Sequence, residues 1–359
     1  MSENQTPTPA PESPVGADTT LPDGRPWRLE EVPCDFCGSS DARVLITGRD
    51  RLHGLPGQFG VVECARCGLV RTSPRPTLEC LGAAYPEQYG PHQSAALRAK
   101  APGGLLRWAL INYRGYPLGE SSPVITRTAF APLGRLPLRS RRNLGYLPFT
   151  GQGRLLDFGC GVGGFVAKMN AAGWQAEGMD LSEDAVRIGR EAGLTMHLGT
   201  LPALEAPDGG TQLEEGAYDA LTMWQALEHV PSPTATLKAA WRLVRPGGRL
   251  LVAVPRFDSL QRDWFGPAWF PLDLPRHLTH FTRATLERQI ESAGFKVERT
   301  WPVRRPANIR HSYAYLADDT GKARHRRLAR SRMIVGMMSL WSLLRGGRTG
   351  QMICIAQKS

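Results

Sequence analysis

Apolar positions along this chain come as short unbroken runs, each closed by an acid or a turn residue, and as stretches spaced for a helix face. The run Arg154-Leu155-Leu156-Asp157-Phe158 is followed by Gly159, Gly161 and Gly163 at alternate positions, then by Phe165, Val166 and Met169 at helical spacing. That order predicts strand, tight turn, helix. Residues 175–182 read as a second strand ending in Asp180, and residues 218–224 as a fourth. A helix over 234–244, the turn Arg245-Pro246-Gly247-Gly248 and a strand over 249–255 follow. Residues 295–299 and 350–358 read as an antiparallel hairpin. This alternation predicts an α/β fold: a Rossmann-like sheet with helices on both faces. No internal repeat is visible.

The glycine-rich turn carries the first chemistry. Glycine is needed where backbone turns with positive φ or where a ligand lies against the main chain. The helix that starts there aims its N-terminal N–H groups at whatever occupies the loop. A nucleotide-like cofactor is the natural tenant. Gly159, Gly161 and Gly164 also satisfy the dinucleotide pattern G-x-G-x-x-G, so the glycines alone do not choose. Asp157, two residues before the first glycine, suits a cofactor with a cationic amino-acid part better than a pyrophosphate. Asp180 can accept both hydroxyls of a ribose, in nicotinamide and S-adenosylmethionine (SAM) enzymes alike.

The ordered series of motifs resembles the class I SAM-dependent methyltransferases. Their pattern is D-x-G-x-G-x-G, an acid ending strand two, E-H-x-x-x-P after strand four, and L-x-P-G-G before strand five. Here it is met by Asp157/Gly159/Gly161/Gly163, Asp180, Glu228/His229/Pro233 and Val244/Pro246/Gly247/Gly248. The resemblance covers roughly residues 151–300 and the last strand. It implies a seven-stranded sheet and SAM as cofactor, with Asp157, Gly159, Cys160, Gly161, Gly163, Asp180, Leu181 and Gln225 around it. An NAD(P)-dependent oxidoreductase is the alternative for the same glycines.

Cysteine spacing adds a second feature. Cys34-Asp35-Phe36-Cys37-Gly38 and Cys64-Ala65-Arg66-Cys67-Gly68 are two C-x-x-C-G knuckles separated by 26 residues. Cys34, Cys37, Cys64 and Cys67 fit a closed, structural, tetrahedral zinc site. So short a segment makes little core by itself, and metal binding supplies folding free energy. Reduced or redox-active cysteines are the other reading. The chain resembles methyltransferases of natural-product and cell-surface sugar metabolism that carry such an N-terminal ribbon. The resemblance continues through Cys67-Gly68-Leu69-Val70, Pro74-Arg75-Pro76 and Tyr85-Pro86-Glu87-Gln88-Tyr89. It implies that Tyr85 and Tyr89 contact substrate; packing of the ribbon is the other use for them. The sugar C-methyltransferases of that group have a further C-terminal domain, and this chain ends soon after the methyltransferase strands.

Methyl transfer to an alcohol or amine needs a proton acceptor. His229 follows strand four, and an imidazole is the side chain suited to take a proton near neutral pH; Glu228 beside it can orient it or bind a substrate hydroxyl. The run Pro275-Arg276-His277-Leu278-Thr279-His280-Phe281 also resembles the ribbon-bearing group, where it lines the acceptor side. His277 and His280 are therefore candidates for substrate binding or for the base. Trp264, Phe265, Trp269 and Phe270 suit a sugar face or an isoprenoid chain. The acceptor expected is a small molecule, a sugar or a lipid-linked glycan, methylated on oxygen or carbon.

Charge sets the remaining bounds. The 359 residues carry a net +11, concentrated in residues 100–150 (+7) and 299–345 (+9), leaving about −5 elsewhere. The cofactor region is not the basic part. A nucleic-acid substrate is not expected: the ribbon is not strongly basic, and Gln225-Ala226-Leu227-Glu228 stands where amino-methylating DNA enzymes have (D/N)-P-P-(Y/F). The N-terminus lacks a secretory pattern, and the apolar stretch 333–344 is too short to span a bilayer. A cytoplasmic protein is expected. The basic amphipathic segments allow weak peripheral membrane contact. The organisation expected is a disordered tail (1–28), a zinc ribbon (29–92), a basic helical linker or lid (93–150), a SAM-binding domain (151–302 and 349–359) and a basic amphipathic helical insertion (303–348).

Overall fold

The computed structural model describes residues 19–21, 23–85, 97, 99–139, 145–201 and 213–359. The chain divides into two compact units. The ribbon unit joins Met1–Pro86, Phe257–Thr282 and Arg305–Gly350; the sheet unit joins Glu87–Arg256, Arg283–Arg304 and Gln351–Ser359.

The sheet unit is built on seven strands: β1 (Arg154–Phe158), β2 (Gln175–Asp180), β3 (Thr195–Leu198), β4 (Tyr218–Trp224), β5 (Val244–Pro255), β6 (Phe295–Val303) and β7 (Gln351–Lys358). Their order is β3-β2-β1-β4-β5-β7-β6. The first five are parallel; β7 is antiparallel to both β5 and β6. The strand order reverses between β1 and β4, the place where an open α/β sheet leaves a crevice at the carboxyl ends of its strands. β4 is buried from Tyr218 to Met223, because helices cover both faces of a parallel sheet.

Helices α1 (Gly164–Asn170), α2 (Glu183–Glu191), α3 (Pro233–Leu243) and α4 (Arg283–Ser292) supply that cover. Ser182 caps α2 by accepting the Ala185 N–H at 3.2 Å, and Ser232 caps α3 by accepting the Ala235 N–H at 3.1 Å. The C-terminal carbonyls of α3 are held by the Lys358 ammonium, which donates to Trp241 O (2.6 Å) and Val244 O (2.8 Å). The turn expected at Arg245-Pro246-Gly247-Gly248 is absorbed into β5: pairing with β4 jumps from Val244 to Arg249, so these residues form a bulge and not a break.

In the ribbon unit, Ala42–Gly48, Phe59–Cys64, Val70–Ser73 and Thr279–His280 make one four-stranded antiparallel sheet. The histidine-bearing run expected within the SAM domain is thus an edge strand on the ribbon. Phe265 and Trp269 are buried in this unit's core, Trp264 packs against it, and Phe270 stacks on His311 at 4.6 Å. Much of the aromatic surface expected to meet a substrate is spent on packing. The tail expected over 1–28 is also corrected for its described part. Thr19–Thr20 pairs with Pro26–Trp27, and Leu21 and Trp27 are buried. Trp27 Nε1 donates to Pro56 O at 3.0 Å, so two apolar anchors order this stretch. Residues 1–18 lie outside the described residues. Helices α5 (Pro306–Thr320), α6 (Ala323–Arg330) and α7 (Arg332–Leu344) fill the expected insertion.

One ionic cluster ties the ribbon unit together. Arg276 is fully buried, and its guanidinium donates to Asp50 (2.7 and 3.2 Å), to Asp273 Oδ1 (2.8 and 2.9 Å) and to Leu274 O. Asp50 also accepts the N–H groups of Leu52, His53 and Leu55. Burial pushes the Asp50 carboxyl up, but the Arg276 guanidinium together with the His53 and Leu52 N–H groups holds it below its ordinary value. Removing one partner of such a cluster leaves a buried charge uncompensated, at a cost of about 3–5 kcal/mol. Arg276→Leu is therefore expected to lower the urea midpoint of the ribbon unit by about that free energy. An unchanged midpoint would show the cluster to be energetically idle.

Candidate functional site

The carboxyl ends of β1, β2 and β4 bring most of the sequence-derived candidates of the sheet unit together. Asp157, near the end of β1, is buried and accepts the Thr222 hydroxyl from β4 at 2.6 Å. Burial raises its carboxyl to about 7; the Thr222 hydrogen bond opposes the shift and the Asp180 charge adds to it. Among the described residues no Lys, Arg or His pairs with Asp157. It is a buried acid without a cation, and it suits the ammonium of an amino-acid group.

The chain then turns through glycines. Gly159 (φ +68) lies so close to the next strand's exit that a Cβ would stand 2.6 Å from Ala226 Cβ. Gly163 (φ +90) starts α1, and a Cβ there would meet Leu194 Cδ1 at 2.6 Å. Both positions therefore demand glycine on conformation and on space. The loop is held by β2: the Gly159 and Cys160 N–H groups donate to Met179 O (2.8 and 3.2 Å). Asp180 accepts the Gly161 N–H at 2.7 Å on one oxygen and the Ser182 N–H at 3.0 Å on the other. Each carboxylate oxygen keeps a further lone pair for a ligand hydroxyl. Leu181 beside it is 67% exposed, an apolar surface at the edge of the crevice. Burial, then the Asp157 and Asp180 charges, push the Cys160 thiol well up. It stays protonated.

Gln225 ends β4 in a left-handed conformation (φ +54). Both its backbone N–H and its Nε2 donate to Ala253 O (2.8 and 2.9 Å), so much of the side chain's capacity goes into tying β4 to β5. Glu228 and His229 follow directly; Glu228 is buried, His229 half-buried, and the His229 N–H donates to Ala226 O at 3.1 Å. Trp224 packs on Phe165 of α1 with centroids 5.2 Å apart, an aromatic wall that the sequence reading missed. The signal was present: one aromatic directly follows the glycine turn and the other directly precedes Gln225. Thr222 was also missed, although it is the one aliphatic hydroxyl in β4.

In the ribbon unit the four knuckle cysteines converge. Their Sγ atoms lie within 4.8 Å of one another, with Cys34–Cys67 at 3.4 Å and Cys37–Cys64 at 3.5 Å. A tetrahedral zinc with sulfur at about 2.3 Å separates its ligands by about 3.8 Å, and the separations are too long for disulfides. In each knuckle the glycine N–H folds back onto the first cysteine: Gly38 on Cys34 O and Gly68 on Cys64 O, both at 2.8 Å.

His277 and His280 belong to this unit too, both buried and both held neutral. Burial draws His277 down to about 4 and His280 to about 3, with the Asp273 charge opposing in each case. Their ring protons sit on different nitrogens. His277 Nδ1 is 2.9 Å from Pro271 O, which can only accept, so the neutral ring carries its proton on Nδ1 and its lone pair on Nε2. Thr72 Oγ1 donates to His277 O at 2.6 Å and lies 3.0 Å from His280 Nε2. The hydroxyl proton being used, His280 Nε2 is the donor. Tyr85 is half-buried and packs against the ribbon core; Tyr89 lies outside the described residues.

Residues 129–300 match a protein family described as a methyltransferase domain. A ubiquinone biosynthesis O-methyltransferase of Xanthomonas oryzae pv. oryzae is 35% identical over 100 residues, 28% of this chain and 42% of that one. Its counterpart in Burkholderia vietnamiensis is 37% identical over 114 residues, 31% of this chain and 45% of that one. The chain thus spans less than half the length of these curated relatives. Among solved structures, geranyl diphosphate C-methyltransferase from Streptomyces coelicolor A3(2) aligns over 76% of this chain and 96% of its own, at 16% identity and a TM-score of 0.42. With the glycine turn, the two strand-end acids and the antiparallel β7 in place, residues 129–300, a little under half of the chain, are similar to that methyltransferase domain family.

Proposed function

We propose that the protein transfers a methyl group from SAM to an oxygen of a small-molecule acceptor. The observation that carries this reading is the buried, cation-free Asp157 set beside a glycine turn that Asp180 pins. Bound SAM supplies an electrophilic methyl on a sulfonium, transferred by in-line displacement. Asp157 receives the ammonium end, Asp180 accepts from the ribose hydroxyls, Leu181 covers the adenine, and the backbone of Gly159–Gly163 leaves room for the chain between. His229 takes the acceptor's proton, oriented by Glu228. His277 is the second candidate because its lone pair is on Nε2. His280, whose Nε2 proton is engaged by Thr72, acts in packing. Oxygen is favoured as the methylated atom because the curated relatives are named O-methyltransferases; a glycan or lipid-linked acceptor is the narrower version, resting on the ribbon. Cys34, Cys37, Cys64 and Cys67 hold a structural zinc.

Calorimetric titration tests the donor. SAM is expected to bind and NAD(P)H not to bind, with Asp180→Ala weakening SAM at least about tenfold, one lost charged hydrogen-bond pair. His229→Asn is expected to leave that affinity intact and to lower kcat about 10²- to 10⁴-fold on any acceptor found. Binding of NAD(P)H in place of SAM would overturn the reading.

Asp157 gives the pH dependence. Its folded pKa, about 7, lies above the ordinary carboxyl value. Its contribution to stability is therefore complete below that ordinary value and is lost as pH rises through about 7. The ammonium of SAM needs the carboxylate, so affinity moves the opposite way and strengthens as pH rises through about 7. Melts of the ligand-free protein should fall over this window, melts with SAM should fall less, and Asp157→Asn should flatten both. Parallel profiles with and without SAM would separate Asp157 from the ligand.

Metal analysis is expected to find one zinc per chain. Stripping it with a chelator, or Cys37→Ser, should unfold the ribbon sheet, since structural zinc supplies on the order of 10 kcal/mol to such knuckles. A metal-free ribbon that keeps its melting transition would rule zinc out.

A further inference from the structure

Helix α7 is inside out. Its buried positions are Val335, Ser339 and Ser342, the two serines with no exposed surface at all. The Ser342 hydroxyl donates to Ser339 O at 2.9 Å, so a buried polar group is satisfied within the helix. Small inward residues let α7 pack closely within the ribbon unit. The apolar bulk faces the other way. Met333 and Leu344 are each 70% exposed, Met337 60%, Trp341 50% and Leu340 44%. These five positions follow one another at i, i+4, i+7, i+8 and i+11 and make a single stripe along one helix face. A water-facing helix selected for solubility alone has the reverse pattern.

Both ends of the stripe are cationic. Before it stand Arg324, Arg326, Arg327 and Arg330 on α6, and Arg332, all exposed. Arg326 pairs with Asp318 at 3.3 Å; among the described residues Arg327, Arg330 and Arg332 meet no carboxylate. After it comes Arg345, whose guanidinium lies 4.5 Å from the centre of the Trp341 ring. The partner must therefore offer apolar depth flanked by negative charge.

We propose that α7 is a docking helix for the surface of an anionic phospholipid bilayer, lying in the plane of the headgroups with its Met/Leu/Trp stripe toward the acyl chains. A second copy of this chain fits less well. With arginine at both ends of α7, parallel and antiparallel pairing each set Arg against Arg. Crossing the bilayer is not the mode: thirteen residues reach about 20 Å along a helix, and no helix among the described residues is long and apolar enough to cross a membrane. The bilayer boundary meets both demands at once, acyl chains for the stripe and phosphates for the arginines. The inference goes beyond methyl transfer and does not rest on it.

The test is flotation of the full chain with vesicles of phosphatidylglycerol and phosphatidylcholine, against phosphatidylcholine alone, at low and high salt. Flotation is expected with the anionic vesicles, reduced by salt. The double variant Met337→Asp/Trp341→Asp is expected to lower the vesicle partition coefficient at least about tenfold, while its melting temperature stays unchanged. Replacing Arg327 and Arg330 by Ser should remove most of the salt dependence. Protein that stays at the bottom at low salt overturns the proposal, as does flotation that the double variant leaves intact. Sedimentation velocity without lipid supplies the last outcome: a dimer that the double variant dissolves would assign the stripe to a contact between copies and overturn the bilayer reading.

Discussion

The cofactor half of the molecule depends on how two carboxylates at neighbouring strand ends are used. Asp180 spends a lone pair from each oxygen on backbone N–H groups, one in the glycine turn after β1 and one at the start of α2. It is the clasp that holds β1's turn against β2. Asp157 is the opposite case, buried with a single hydroxyl donor and raised toward 7 by desolvation. A protein that binds no cation there gains nothing from the burial. The asymmetry gives the crevice its polarity: an unpaired buried acid beside β1 and a backbone-bound carboxylate beside β2.

The ribbon unit has its own fixed point. Asp50 stands more than two hundred residues from Asp273 and Arg276 in the chain, and the hydrogen bonds among them join the loop after the Ala42–Gly48 strand to the segment carrying His277 and His280. Asp273 sits at φ +36, an uncommon conformation for a non-glycine residue. Arg276 grips the Asp273 carboxylate at 2.8 Å, and that hold offsets the conformational cost. The ribbon unit thus holds two separate clusters, four converging cysteine sulfurs and a desolvated ion-pair network around Arg276.

What was legible in the sequence was local. The strand-turn-helix at Asp157–Phe165, the cysteine knuckles and the strand-end acid Asp180 each declare themselves within a dozen residues, because positive φ and metal-ligand spacing are local demands. What escaped was non-local. Nothing near residue 279 says that it pairs with residue 71, so the Pro-Arg-His-Leu run was assigned to the SAM domain. Trp264, Phe265, Trp269 and Phe270 read equally as a substrate face or as core, and only the fold shows two of them buried. The stretch around Leu21 and Trp27 looked like tail because its two anchors are isolated among polar residues. The apolar stretch of α7 was visible, but which of its faces points inward is a property of the packing.

The two ribbon-unit histidines show how far such packing decides chemistry. They are three residues apart, equally buried, and indistinguishable by sequence as candidates for a base. The bond from His277 Nδ1 to Pro271 O fixes one tautomer, and the bond from His280 Nε2 to a hydroxyl already committed elsewhere fixes the other. His277 thus carries its lone pair on Nε2, where His280 carries a proton. Its pKa near 4 limits what that nitrogen does at neutral pH: it accepts a hydrogen bond or a proton only when the imidazolium formed is stabilised at the same moment. Asp273 Oδ2, 3.8 Å from Nε2, is placed to give that stabilisation, and Arg276 claims the other oxygen of the same group.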